Sequence, residues 1–144
     1  MSLVQIQFID NAEQRLPAFA TEGSCAVDLY STEDKLILPY EWGTIATGIK
    51  IQMPNWMVGL ICSRSGMASE KGVFVMNSPG VIDSDYRGEI RVILYNAGDT
   101  RYVVEKGQRI AQMMFLSHFR PEFQIVSELN ETQRGTNGFG STGK

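Results

Sequence analysis

Alternation of apolar and polar side chains marks the segment Ile49-Lys50-Ile51-Gln52-Met53. The same alternation occurs near the amino terminus, in Val4-Gln5-Ile6-Gln7-Phe8. Because successive side chains of a β-strand point to opposite faces, a period of two predicts strands that each bury one face. These two segments therefore favour a protein built from β-sheets.

Further short runs of β-forming residues follow along the chain, at 35–38, 56–62, 73–75, 90–95, 101–104 and 110–116. Turn-forming residues separate them, namely Pro39, Gly43, Pro54-Asn55, Pro79-Gly80, Asn96-Ala97-Gly98 and Lys106-Gly107. Many short strands with regular turns are typical of all-β folds. The sequence predicts an all-β domain, a distorted jelly roll or a β-sandwich-like barrel.

One segment, Ser65 to Gly72, has a helical pattern. It begins with a serine, has a lysine in its last turn and ends at a glycine, so a helix of at most two turns is expected. Its first turn would offer backbone N–H groups to a phosphate beside Arg64. An ordinary surface turn is an equally good interpretation of these residues alone.

The length of 144 residues, with 43% hydrophobic and 20% charged residues, is typical of one globular domain with a core. A net charge of −3 argues against long nucleic acid as a partner, because binding a phosphate backbone needs a basic face. A small polyanion held by local basic groups stays compatible with this charge. The sequence contains no signal-peptide core and no apolar run of about 18 residues, which predicts an intracellular, cytoplasmic protein without a membrane partner.

Several residues are assigned structural roles. Cys25 and Cys62 form no Cys-x-x-Cys pair, so we expect two buried, reduced thiols. His118 is the only histidine, which disfavours histidine metal sites and Ser-His-Asp triads. Trp42 and Trp56 are expected at packing or subunit-interface positions.

The carboxyl-terminal residues 130–144 are predicted to form a flexible arm, and residues 1–129 the core. Within the arm, Phe139 lies among glycines and small polar residues, a pattern typical of an anchor on a mobile segment. From Ser127 the chain could extend roughly 55 Å at about 3.3 Å per residue, far enough to reach a neighbouring subunit.

The densest group of polar residues runs from Asn77 to Glu89 and includes Asp83 and Asp85. These two carboxylates could bind a cation such as Mg2+, since it prefers oxygen ligands. A solvated turn and a single catalytic base are the other interpretations, and the segment alone does not choose between them.

Five segments resemble, in order, the five signature motifs of the trimeric dUTPase family. They are Cys25-Ala26-Val27-Asp28-Leu29, Ser63-Arg64-Ser65-Gly66-Met67-Ala68, Asn77 to Glu89, Gly107-Gln108-Arg109-Ile110-Ala111-Gln112, and Arg134 to Gly143. The resemblance implies hydrolysis of dUTP to dUMP and pyrophosphate, which limits uracil incorporation into DNA and supplies dUMP for dTMP synthesis. A dCTP deaminase-related enzyme and a non-catalytic nucleotide-sensing regulator are the alternatives.

The same resemblance implies roles for residues of the third segment. Asp83 would activate the water that attacks the α-phosphorus. Tyr86 would pack on the deoxyribose and exclude a 2′-hydroxyl. Asn77 and the neighbouring residues Gly80, Val81 and Ile82 would recognise the hydrogen-bonding edge of uracil.

The remaining segments are implied to hold the triphosphate. Phosphate-binding roles fall on Arg64, Ser65, Gly66, Gln112, Arg134, Ser141 and Thr142. Phe139 would stack on the uracil when the arm closes. Mg2+ would be held mainly by the substrate's phosphates, with Asp28 reaching it through water. The family also implies a homotrimer whose active sites are shared between subunits.

Overall fold

The computed structural model describes residues 3–9 and 15–138, and within them the chain forms eleven β-strands and one α-helix. The strands are β1 Gln5–Phe8, β2 Ala26–Tyr30, β3 Lys35–Ile37, β4 Trp42–Ala46, β5 Ile49–Gln52, β6 Met57–Cys62, β7 Val73–Val75, β8 Gly80–Ile82, β9 Arg91–Asn96, β10 Tyr102–Val104 and β11 Arg109–Ser117. The helix α1, Ser65–Lys71, lies between β6 and β7.

The strands form four antiparallel sheets. The largest has the order β2-β11-β6-β8, and a second has the order β4-β9-β7. Two smaller sheets pair β1 with β5 and β10 with β3. The predicted all-β class with one short helix is therefore confirmed.

The core follows from the alternation in the sequence. In β5 and just beyond it, Ile49, Ile51 and Met53 are buried, whereas Gln52 is exposed. The same period of two buries one face of β6 and one face of β9. The side chains from these faces join a single hydrophobic cluster that both larger sheets line, and burial of this apolar surface is the main force that stabilises the fold.

Some local expectations were wrong. Gly43 lies inside β4 and is not a turn: a Cβ on it would come within 3.3 Å of Lys35 Cε, so the glycine allows two strands to approach closely. Cys25 is exposed and Cys62 half-buried, so they are not two buried thiols. Trp42 and Trp56 are exposed in the single chain and lie outside its core, so the alternative of a subunit-interface position stays a prediction for both.

The helix was predicted with nearly the correct bounds but with the wrong N-cap. Arg64 is the N-cap residue, and no side chain caps the first turn. Gly72 ends the helix in the left-handed conformation, at φ 65°, which a glycine adopts without steric cost. Met67 is the helix residue that is buried in the core.

The last strand ends at Ser117, and residues 118–138 contain no helix or strand. Large apolar side chains in this segment are exposed, among them Phe119, Phe123, Ile125 and Leu129. No helix in the described ranges has the length and apolar character needed to cross a membrane.

Candidate active site

Three charged residues meet on the four-stranded sheet. Asp28, in the middle of β2, accepts a hydrogen bond on Oδ1 from Arg64 Nε at 3.0 Å. Its Oδ2 lies 3.3 Å from Nη1 of Arg109, the first residue of β11. Arg64 Nη1 also donates to the main-chain oxygen of Arg109 at 3.3 Å. These contacts orient the Arg64 side chain across the sheet.

Gln112 holds the neighbouring backbone. It lies in the central strand β11, level with Asp28 on one side and Cys62 on the other. Its side-chain amide donates to the main-chain oxygen of Ser63 at 2.9 Å. The Ser63 hydroxyl in turn accepts the backbone N–H of Val75, also at 2.9 Å. The turn that leads into α1 is thereby tied to two strands.

Ser65 and Gly66 are exposed at the start of α1. No side chain accepts a hydrogen bond from the first backbone N–H groups of this turn. A Cβ on Gly66 would meet no atom of the described residues within 4 Å. The predicted phosphate-binding residues of the second and fourth segments are therefore gathered in one region, together with Asp28.

The third segment begins beside the edge strand β8. β8 pairs with β6 so that Gly80 is opposite Ile61 and Ile82 opposite Gly59. A Cβ on the buried Gly80 would lie 3.2 Å from the side-chain nitrogen of Asn77, so the glycine leaves room for the Asn77 amide. Asn77 and Gly80 are therefore close together, as they must be if both contact the same ligand.

A turn after β8 brings Asp83 and Tyr86 close together. The backbone N–H of Tyr86 donates to the main-chain oxygen of Asp83 at 3.2 Å. The Tyr86 hydroxyl donates to the main-chain oxygen of Glu89 at 3.1 Å, and its ring lies against Gly88. The aromatic ring is consequently held at a fixed place beside the exposed carboxylate.

Asp83 and Tyr86 line one cleft of about 240 Å3. The predicted residues Val81 and Ile82 also line it, together with Thr44, Glu89, Arg91 and Ile93. Asp83 also lines a larger groove of about 490 Å3, which includes Asp85, His118 and Arg120. The exposed Asp83 side chain therefore borders two clefts.

Two residues of the third segment anchor this loop. Glu89 Oε1 accepts the backbone N–H of Gly48 at 2.9 Å, and its other oxygen lies 3.4 Å from Arg91 Nη1. Arg87 Nη1 donates to the main-chain oxygens of Ser84 and Tyr86. These contacts tie the turn to the neighbouring backbone.

The region around Asp28 and Arg64 and the cleft beside Asp83 are far apart within one chain. Asp28 lies on one edge strand of the sheet and the cleft begins at the opposite edge strand, β8. With about 4.8 Å between neighbouring strands, this separation is roughly 14 Å. Arg64 follows the carboxyl end of β6, whereas Asp83 follows Ile82, which pairs with Gly59 near the other end. The two regions are thus separated both across the sheet and along it.

Arg134 is exposed in the described part of the arm, where its Nε donates to the main-chain oxygen of Asn137 at 2.9 Å. This hydrogen bond is local, and it links Arg134 neither to the region around Arg64 nor to the cleft beside Asp83. The predicted residues Phe139, Ser141 and Thr142 lie outside the described residues.

Across 3–9 and 15–138, the chain has no cluster of three or more His, Cys, Asp or Glu side chains suited to a metal ion.

A family model, described as dUTPase, matches residues 12–143. The chain belongs to the dUTPase family.

Relatives of this family are close in sequence and length. A protein of Hydrogenobaculum sp. is 47% identical over 129 residues, with 89% of this chain and 90% of the relative covered. A protein of Rickettsia felis is 46% identical over 142 residues, with 97% and 96% covered. Both are named deoxyuridine 5'-triphosphate nucleotidohydrolase.

The solved dUTPase of Staphylococcus bacteriophage 80alpha, with dUPNHPP, is similar in fold. It superposes with a TM-score of 0.90 at 27% identity and covers 99% of each chain. The likeness therefore extends over the whole domain.

The resemblance to dUTPases gave no role to Arg109, although this residue contacts both Asp28 and Arg64. Arg109 belongs to the fourth segment, so a signal was present. Its contact with Asp28, however, joins residues 81 positions apart and follows from the pairing of β2 with β11. Thr44 and Ile93 of the cleft were likewise missed because they come from other strands.

Proposed function

We propose that this chain hydrolyses dUTP to dUMP and pyrophosphate with Asp83 as the general base. Membership of the dUTPase family and relatives of 46–47% identity named deoxyuridine 5'-triphosphate nucleotidohydrolase support the activity. Asp83 is assigned as the base because its exposed side chain lines the same cleft as Tyr86. Processing of a DNA precursor also fits the intracellular location expected from the sequence.

In the proposed reaction, a water oxygen forms a bond to the α-phosphorus and the bond to the α,β-bridging oxygen breaks. Pyrophosphate leaves, and Asp83 takes the proton of the attacking water. A positioned carboxylate contributes about two to four orders of magnitude to such a step. Its exposure on a cleft wall allows both the water and the substrate to approach it.

Tyr86 and the Asn77 to Ile82 segment are proposed to recognise the nucleoside. The Tyr86 ring, fixed by its hydrogen bond to the Glu89 main chain, would lie where a ribonucleotide carries its 2′-hydroxyl. The Asn77 amide and the backbone of Gly80, Val81 and Ile82 would pair with the uracil edge. Cytosine would leave polar groups unpaired there, at a cost of about 1–3 kcal/mol each.

The triphosphate would be held by the region around Arg64. Its guanidinium can form a charge-assisted pair of hydrogen bonds with phosphate oxygens. Ser65, Gly66 and Gln112 lie next to it and offer hydroxyl, backbone and amide donors. From the arm, Arg134 would reach the γ-phosphate, Ser141 and Thr142 would add hydroxyl donors, and Phe139 would cover the uracil, so that closure excludes water.

Mg2+ is proposed as the cofactor. Mg2+ keeps several waters and takes few carboxylates beside substrate phosphates, so a site formed mainly by the triphosphate needs only a nearby carboxylate such as that of Asp28. Asp28 keeps lone pairs beyond its two arginine contacts and would accept a hydrogen bond from a metal-bound water. The ion would neutralise phosphate charge when it is bound.

A shared active site in a homotrimer is the proposed assembly. Within one chain Asp83 follows Ile82, which pairs with Gly59, five residues before Arg64. At about 3.3 Å per residue the two backbone positions are roughly 16 Å apart along the sheet, which supports a site in which one nucleotide contacts Asp83 of one subunit and Arg64 of another. The arm would be contributed by a neighbouring chain, so that three chains complete each site.

Pyrophosphate release from dUTP, dCTP and UTP tests the proposed function. We expect rapid release from dUTP with Mg2+ and far slower release from the other two nucleotides. Ammonia release from dCTP would instead indicate a deaminase. Tight dUTP binding without hydrolysis would indicate a nucleotide-sensing regulator, and either result would overturn the proposal.

A further inference from the structure

Arg109 changes the charge of the phosphate-binding region. Asp28 and Arg64 form an ion pair whose charges cancel, and their side chains are 19% and 27% exposed. Arg109 contacts the second oxygen of the same carboxylate with a side chain that is 53% exposed. With two guanidinium groups around one carboxylate, the cluster has a net positive charge in a chain whose overall charge is −3.

The Asp28 side chain and the main chain at position 109 limit the orientations open to Arg64. Arg64 Nε donates to Asp28 Oδ1, and Arg64 Nη1 donates to the main-chain oxygen of Arg109. Among the described residues these contacts use Nε and Nη1, so Nη2 is available to a ligand. A guanidinium group is planar and rigid. Because Nε and Nη1 each donate to a protein acceptor, the direction of Nη2 is fixed as well.

We propose that Arg109 is a positioning residue for the substrate's β- and γ-phosphates, acting through Asp28 on Arg64. This inference rests on the proposed function. Arg109 holds Asp28 in the orientation that fixes Arg64, and it supplies the positive charge that Asp28 would otherwise cancel. Its removal lowers the affinity for the triphosphate and leaves the chemistry at the α-phosphorus largely unchanged.

Arg109→Gln and Arg109→Lys test this role, with Arg101→Gln as the matched control, since Arg101 is an exposed arginine outside the cluster. For Arg109→Gln we expect KM for dUTP to rise roughly five- to tenfold with kcat within about twofold, as for a partly exposed charge contact. Arg109→Lys keeps the charge but loses the planar group, so a rise of about two- to threefold is expected. Arg101→Gln should leave both constants unchanged.

Binding measurements separate this role from a general structural one. Titration with a non-hydrolysable dUTP analogue should show the same weakening, whereas the affinity for dUMP should stay within about twofold, because dUMP lacks the β- and γ-phosphates. Equal weakening of both ligands, or an unchanged affinity for the analogue, overturns the proposal. If Arg109→Gln does not fold, an unchanged ratio of the two affinities in Arg109→Lys overturns it.

A double-mutant cycle with Asp28→Asn tests whether Arg109 acts through Asp28. Interacting residues give non-additive effects, so the double variant should bind the analogue more tightly than the product of the single effects predicts. Strictly additive effects would contradict action through Asp28. If the unaltered protein releases no pyrophosphate from dUTP, the proposed function fails, while analogue binding still measures the contribution of Arg109.

Discussion

The ring of Tyr86 occupies the space into which a side chain at Gly88 would project. A Cβ on Gly88 would overlap the Tyr86 hydroxyl and ring carbons, and the hydroxyl donates to the main chain of Glu89 at 3.1 Å. The glycine therefore permits the tyrosine to fold back over the loop. This placement sets the wall of the cleft that Tyr86 shares with Asp83.

Substitution of Gly88 should loosen sugar discrimination. Gly88→Ala displaces the Tyr86 ring, and we expect the ratio of kcat/KM for dUTP over UTP to fall roughly tenfold, as for the loss of one contact in a specificity pocket. Tyr86→Ala should act in the same direction. Gly23→Ala is the control, because its added methyl group meets no atom of the described chain within 4 Å. An unchanged ratio in both Gly88→Ala and Tyr86→Ala would place the sugar gate elsewhere.

Replacement of the proposed base should separate binding from turnover. Asp83→Asn keeps the shape of the side chain, so affinity for a dUTP analogue should stay near normal while kcat drops by about two to four orders of magnitude. Asp85→Asn removes a neighbouring exposed carboxylate and should have little effect on kcat. Near-normal turnover of Asp83→Asn in a pyrophosphate assay would exclude Asp83 as the base.

Removal of the arm should impair catalysis but not assembly. A chain without Arg134 to Lys144 is expected to fold and to form the proposed trimer, because the core of both larger sheets lies outside this segment. Its kcat should fall at least about tenfold because closure no longer excludes water. Light scattering after gel filtration would report the assembly, and a monomeric product would show that the arm is primarily structural.

Loss of the Glu89 anchor should destabilise the domain. Glu89 is 20% exposed, and its Oε1 accepts the Gly48 N–H. Its replacement by alanine leaves this N–H without that partner, so we expect the free energy of unfolding to fall by about 1–3 kcal/mol. Urea denaturation measures the change, with the exposed Glu70→Ala as control. Equal stability of the two variants would show that the Glu89 contact contributes little.

Most strands were predictable because their alternation is local. The buried face of Ile49, Ile51 and Met53 and the polar face of Lys50 and Gln52 are visible in the sequence and recur in β5. β2 and β8 were not predicted as strands by periodicity. In β2 the alternation covers only Val27, Asp28 and Leu29, and β8 has only three residues beginning at Gly80, so both patterns are too short to stand out in the sequence.

The five motif segments and the chemistry that they imply were determined by the sequence alone, because residue identity and order are properties of the chain. Only the tertiary structure decided that Arg109 of β11 shares the carboxylate of Asp28 in β2, and that Asp83 lies at the far end of the sheet from Arg64. Strand order and register bring distant positions together or hold them apart. They depend on how all the strands pack around one core, which no single segment specifies.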